Sequence, residues 1–206
     1  GLVNTLIVAA GSTALSTVLG TLLAVGLARH TRSKLLDAIA TLPVILPDIV
    51  LAIGLLAFYA LVQVTLGLYS VLLAHAVFGT AAVAAVVRTR LSSTDPSLEE
   101  ASRDLGANGF TTFWRITLPS LAPGVVAGAL LAFTLSVDEF VIAFFTAGPQ
   151  SPTLPIVIYS MVRFGVTPEI NALATVLLAV TFTAILAVQR LTRLTVGSIG
   201  RDRTGE

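Results

Sequence analysis

Three carboxylates, Asp48, Asp138 and Glu139, stand inside long apolar stretches of this 206-residue chain. A charge in such a setting costs about 3 kcal/mol on insertion scales and points to function by default. No lysine or arginine lies centrally in these stretches to neutralise the acids. Unpaired carboxylates along a pathway suit a cationic solute. A competing reading has them capping broken helix ends or bonding neighbouring backbone, most plainly at Asp48, where the adjacent Pro47 frees a backbone group. Other chemistries lack their parts. With no cysteine there is no disulfide, no thiolate metal site and no thiol nucleophile. Two histidines in all make a metal enzyme a poor fit. His75 reads as a hydrogen-bonding partner of a neighbouring helix rather than as a proton relay. A P-loop needs GxxxxGK followed by serine or threonine; the single lysine, Lys34, is followed by leucine and has no such glycines before it. Neither HExxH nor GxSxG occurs. The chain therefore reads as neither an enzyme nor an ATPase, and no cofactor is expected.

Hydrophobic residues make up 55% of the chain and charged residues 11%. A soluble domain carries about a quarter charged residues, so this chain could not cover its own surface in water. A net charge of +1 argues against a nucleic-acid partner. The expected fold class is an all-α, polytopic transmembrane helix bundle in one domain, residues 1–206, with the lipid bilayer as its surroundings. Crossing the hydrocarbon takes about 20 apolar residues, and five stretches qualify: about Leu2 to Ala28, Val44 to Val64, Tyr69 to Val87, Leu121 to Phe145 and Asn171 to Leu191. Five spans put eleven of the twelve basic residues on one side and only Arg163 on the other. Basic residues accumulate in cytoplasmic loops, which places the start outside and the tail inside. Small residues recur every four positions at Ser12, Ser16, Gly20, Ala24 and Ala28, and again at Gly124, Gly128, Ala132 and Ser136. Such ladders let helices approach closely in lipid. The chain starts at Gly1, almost inside an apolar run, and an upstream segment is expected to precede it.

The one long polar loop, residues 91–119, falls on the cytoplasmic side. Asp95-Pro96-Ser97-Leu98-Glu99-Glu100 carries helix-start signals, with Ser97 and Glu100 fitting a capping box. Gly106 is placed to end that helix in a left-handed turn. A second helix is expected from near Asn108, with Phe110, Phe113, Trp114 and Thr117 along one side, and Pro119 leads into span four. On the other side, residues 147–169 form a proline-punctuated loop whose apolar piece, Ile156 to Val162, is too short to span. It reads as a short helix on the surface or at the pathway mouth. Arg163 in this loop could meet an acid, or could simply be solvated.

Glu100-Ala101-Ser102, three residues, Gly106, nine residues and Ile116-Thr117-Leu118-Pro119 resemble the EAA signature of ABC-importer permeases, with serine replacing the second alanine. Segments Thr41–Val50, Thr134–Ile142, Ile158–Arg163 and Thr167–Thr175 are similar to spermidine/putrescine-type permeases. The resemblance implies the type I importer permease fold, with five spans present and the family's first absent. It implies that the loop's first helix docks on an ATPase through Glu100, Ala101, Ser102, Gly106, Ile116, Leu118 and Pro119. It implies as partners two copies of an ATPase, a second homologous permease subunit and an extracytoplasmic binding protein. It implies a prokaryotic cell membrane, with the C-terminus in the cytoplasm. Tyr159 joins Asp48, Asp138 and Glu139 as a candidate pathway residue. Polyamines are the expected solute. An importer for opines, thiamine, iron or another organic cation shares the same loop and stays open, as does a secondary transporter, against which the EAA spacing argues.

Overall fold

Backbone in lipid must satisfy its own hydrogen bonds, which leaves helices as the default for runs without barrel-like alternation. The computed structural model describes residues 1–30, 33–164, 171–172, 174–176, 178–183 and 186. Among them the order is α1 (Leu2–His30), α2 (Lys34–Ile45), α3 (Asp48–Leu61), α4 (Leu68–Ser92), α5 (Ser97–Asp104), α6 (Gly109–Thr112), a π-helical turn (Phe113–Thr117), α7 (Leu118–Asp138), α8 (Val141–Thr146) and α9 (Leu154–Phe164). No strand occurs among the described residues. Three runs, Leu2–Arg29, Leu68–Ser92 and Gly109–Asp138, are long and apolar enough to cross a membrane. The pair α2 and α3 would make a fourth if taken as one bent span. The expected fifth span contains helical residues 174–176 and 178–183 but lies partly outside the described residues.

Two expected spans are broken. Span two is expected over about Val44 to Val64, yet α2 and α3 meet at 109° just inside its start. Pro47 has no N–H to donate and pushes the preceding residue out of the helical region, and Leu46 accordingly sits at φ −66°, ψ 140°. The 14 residues of α3 rise about 21 Å, short of the ~30 Å hydrocarbon core. Span four was to reach Phe145, but α7 ends at Asp138 and Glu139 turns extended, with ψ 110°. No proline or glycine lies at this break. The acids themselves mark it.

The core is the packing of α1, α4 and α7, and the small-residue ladders form it. Ser12, Ser16, Gly20 and Ala24 are buried, as are Gly124, Gly128, Ala132 and Ser136; Ala28, the last rung of the first ladder, is exposed. Val83 of α4 is the knob between two glycines. A Cβ at Gly20 would lie 2.7 Å from Val83 Cβ, and one at Gly128 would lie 3.2 Å from Val83 Cγ1. A polar node joins the three helices. Ser12 Oγ lies 3.1 Å from Ser136 Oγ, and His75 Nδ1 lies 2.7 Å from the same oxygen. Ser16 Oγ donates to Ala76 O at 3.2 Å. Interhelical hydrogen bonds of this kind contribute about 0.6 kcal/mol each. His75 bonds a neighbouring helix, as its position implied, while its buried Nε2 makes no hydrogen bond.

At the bundle end away from α5, Tyr59 Oη donates to Ser70 O at 3.0 Å, and Ser70 Oγ lies 2.7 Å from Thr146 O. Thr5 Oγ1 accepts from Leu154 N at 2.7 Å, and Asn4 Nδ2 donates to Pro152 O at 3.0 Å. These bonds fasten α3, α8 and the start of α9 to the bundle.

Candidate functional site

The polar loop builds one site around α5. Pro96 occupies the N-cap position, so the expected Ser97–Glu100 capping box does not form. Asp95 Oδ1 accepts from Ser97 N at 2.9 Å instead, and that bond holds the Asp95 carboxyl below the usual carboxylate range. The helix ends as the sequence predicted. Gly106 sits at φ +86°, its N–H donates to Arg103 O at 2.8 Å, and Ala107 N donates to Ser102 O at 3.1 Å. This is the paired-bond pattern of a Schellman motif, which needs the left-handed conformation glycine adopts without strain.

The helix has two faces, and the doubled acids divide between them. Glu100 and Ala101 are exposed, together with Leu98 and Leu105. Glu99 turns inward and is 8% exposed. Its Oε1 takes hydrogen bonds from Arg29 Nη2 at 2.9 Å and Thr117 Oγ1 at 3.0 Å. Ser102, one turn on, also faces inward, with Oγ 3.1 Å from Thr112 Oγ1. The serine that departs from the EAA pattern thus makes a bond that alanine could not. Sequence reasoning missed Glu99. The i, i+3 spacing of Glu99 and Ser102 marks a shared face, but nothing local says which face turns inward.

The second helix of the loop starts where Asn108 predicted, with Asn108 Oδ1 accepting from Thr111 N at 2.8 Å. Its expected single side is split. Phe110 and Trp114 are exposed and pack as tilted rings with centroids 6.1 Å apart, whereas Thr117 is buried against Glu99. Ile116 lies in the π-helical turn, and Leu118 and Pro119 open α7. Leu118 N reaches back five residues to Phe113 O. This wider turn leaves room for the Pro119 ring, which would otherwise crowd the carbonyl four residues earlier.

The second cluster lies where α3 and α8 begin. Asp48 is in the first turn of α3, where the helix dipole favours negative charge. Glu139 Oε1 accepts from Ile142 N at 2.9 Å, capping α8. The competing reading of these acids therefore holds for Glu139: it does cap a broken helix end. Glu139 also lies within electrostatic reach of both Asp48 and Asp138. Three acids separated by up to 91 positions are thus brought together, and Asp48 and Asp138 are exposed. Among the described residues no ion pair neutralises them; the pairs present are Arg29–Glu99 and Arg88–Asp37. Nor do they form a group that could hold a metal ion.

Aromatic rings adjoin the acids. Tyr159 of α9 packs on Phe140 at a centroid distance of 4.8 Å and on Phe144 at 6.2 Å. Phe140 follows Glu139 directly, so rings and carboxylates meet at one break. Phe140 and Phe144 escaped sequence reasoning. Their i, i+4 spacing on a helical run is a signal, but it becomes useful only once α9 folds back to bring Tyr159 over them. Carboxylates beside ring faces can hold ammonium groups by charge and by cation–π attraction together.

A family model for "binding-protein-dependent transport system inner membrane component" matches residues 16–197. The putrescine transport system permease protein PotI of Escherichia coli (strain K12) is 40% identical over an alignment of 213 positions that covers 97% of this chain and 76% of that protein. The spermidine/putrescine transport system permease protein PotC of the same organism is 41% identical over 192 residues, covering 92% and 73%. An inward-facing structure of the MetNI methionine ABC transporter contains a chain that matches with TM-score 0.81 at 22% identity, covering 94% of each chain. That likeness gives the fold, which is the type I importer permease fold.

Proposed function

Because the chain belongs to the family of binding-protein-dependent transport system inner membrane components, we propose that it is the permease subunit of an ATP-driven polyamine importer. It lines the translocation pathway and couples that pathway to a separate ATPase. The observation that carries the coupling is the two-faced α5, which turns Glu100 and Ala101 outward while Glu99 and Ser102 hold it to the bundle. The small side chain of Ala101 lets the helix seat in a partner's groove, with Glu100 meeting basic groups at the rim and Leu98, Leu105, Phe110 and Trp114 adding apolar area. Polyamines are supported by the named substrates of the two relatives, by the three neighbouring acids and by the ring cluster of Phe140, Phe144 and Tyr159 that begins next to Glu139.

The assembly is two ATPase copies, a second homologous permease subunit and an extracytoplasmic binding protein, in a prokaryotic cell membrane with the C-terminus in the cytoplasm. Residues 1–206 act as one permease domain, with 91–119 as the coupling loop and 147–169 as the loop that meets the binding protein. ATPase closure pulls α5 and the bundle rocks, opening the pathway on the side where substrate arrives.

The test is uptake of radiolabelled putrescine and spermidine by proteoliposomes holding the full complex, with ATP inside and binding protein outside. Uptake should require ATP and be competed by the other polyamine. ATP-dependent uptake of another solute, with no competition by polyamines, would replace the substrate; uptake by this chain alone would remove the ATPase from the scheme.

Gly106→Val should separate coupling from folding. A Cβ there meets no atom within 4 Å, so the whole effect is backbone strain, about 1–2 kcal/mol for a left-handed L-residue. ATPase co-purification and uptake should both fall, while membrane insertion stays intact. Gly106→Asn should be tolerated, since asparagine also takes this position. Equal loss in both variants would mean the turn conformation is not what matters.

A further inference from the structure

We infer that Glu99 is a positioning residue, a strut that makes α5, α1 and α7 move as one body. The inference rests on the coupling role proposed above and adds the route by which displacement leaves the helix. Chain connections alone join α5 to α4, through residues 93–96, and to α7, through Gly106 and the π-helical turn. Neither reaches α1, 70 positions away in sequence. Glu99 does, through Arg29 in the last turn of α1. The same oxygen takes the hydroxyl of Thr117, the residue just before α7.

Among the described residues Glu99 is the one buried carboxylate. A buried acid is tolerated when paired and hydrogen-bonded, and here both conditions are met. Arg29 stands where the negative end of the α1 dipole favours a cation. Thr117 is 5% exposed, so water competes weakly for its bond to Glu99. The geometry has a mechanical consequence. A pull on the outward residues Glu100 and Ala101 is felt one residue away by a side chain tied to both α1 and α7. The neighbouring glutamates thus divide the labour, one facing a partner and the other facing the bundle.

The experiment uses the complete importer in proteoliposomes and reads polyamine transported per ATP hydrolysed. Glu99→Gln and Arg29→Gln should keep ATPase co-purification and ATP hydrolysis, while transport per ATP falls about tenfold, within the range by which coupling residues act. Exchanging the pair, Arg29→Glu with Glu99→Arg, should recover most of the ratio. An unchanged ratio in Glu99→Gln overturns the strut. So does a proportional fall in uptake and hydrolysis that the exchange does not rescue, because that marks a residue needed only for folding. A second measurement stands apart from transport. The chain has no cysteine, so Asp104→Cys, assembled with partner subunits whose own cysteines have been replaced, places a spin label at the end of α5 in the same complex. Its mobility should rise in Glu99→Gln, and an unchanged spectrum sinks the strut. If the wild-type complex shows no ATP-dependent uptake while the label still loosens in Glu99→Gln, the strut stands and the transport assignment fails.

Discussion

Asp138→Asn combined with Glu139→Gln should lower ATP-driven putrescine uptake about 100-fold, the effect of losing roughly 3 kcal/mol of charge-assisted contact with a dication. The substitution pair is chosen so that folding survives. Glu139 Oε1 accepts from Ile142 N, and a glutamine oxygen can accept the same bond, so the cap on α8 is kept and only the charge goes. Asp138 is exposed at the end of α7, with no ion pair to break. The ATPase should still co-purify, because α5 sits at the other end of α7. Single substitutions should each cost about tenfold, since either remaining carboxylate still faces the ammonium. Uptake within twofold of wild type in the double variant would reduce both acids to helix-end residues.

The second large effect is on the bundle itself. Gly20→Leu should destabilise the folded chain by about 3 kcal/mol or more, at the upper end for overpacked cores. A Cβ at Gly20 would fall 2.7 Å from Val83 Cβ and 2.8 Å from the Thr80 carbonyl oxygen. The second contact is backbone, so no rotamer change relieves it, and α1 must move off α4. That motion would also pull Ser12 from Ser136 and Ser16 from Ala76. Gly26→Leu is the matched control: the same helix and the same substitution, but open space around the new Cβ. Monodisperse protein recovered after heating in detergent should drop sharply for Gly20→Leu and stay near wild type for Gly26→Leu. Equal recovery would mean the close approach of α1 and α4 is not a source of stability.

Much of this was legible in the sequence because helix packing in lipid is written locally. The four-residue recurrence of small side chains identified the α1 and α7 faces that pack on α4, and only the outermost rung, Ala28, failed to be buried. The left-handed turn at Gly106 and the helix start at Asn108 are also local, and both were readable. The breaks were not. Pro47 signalled a freed backbone group, but span two was expected from about Val44, and nothing in the spacing marked Lys34–Ile45 as a separate helix set at 109°. At Asp138–Glu139 no proline or glycine gave warning, and acids that looked like lining residues turned out also to be where the helix stops. The choice between Glu99 and Glu100 depended on Arg29 and Thr117, which come from distant parts of the chain. Long-range pairing of that sort leaves no mark in spacing.

Stiffness is unevenly distributed in this molecule. Where α1, α4 and α7 interlock through glycine and serine, with Val83 filling the space between two glycines, there is little compliance, because close-packed interiors transmit strain rather than absorb it. The two interruptions, Leu46–Pro47 and Glu139–Phe140, lack continuous helical hydrogen bonding and are where elastic deformation must collect. Both carry a carboxylate, Asp48 at one and Glu139 at the other, within electrostatic range of each other. A cation bridging them would therefore brace the protein at two interrupted helices, and its departure would release them.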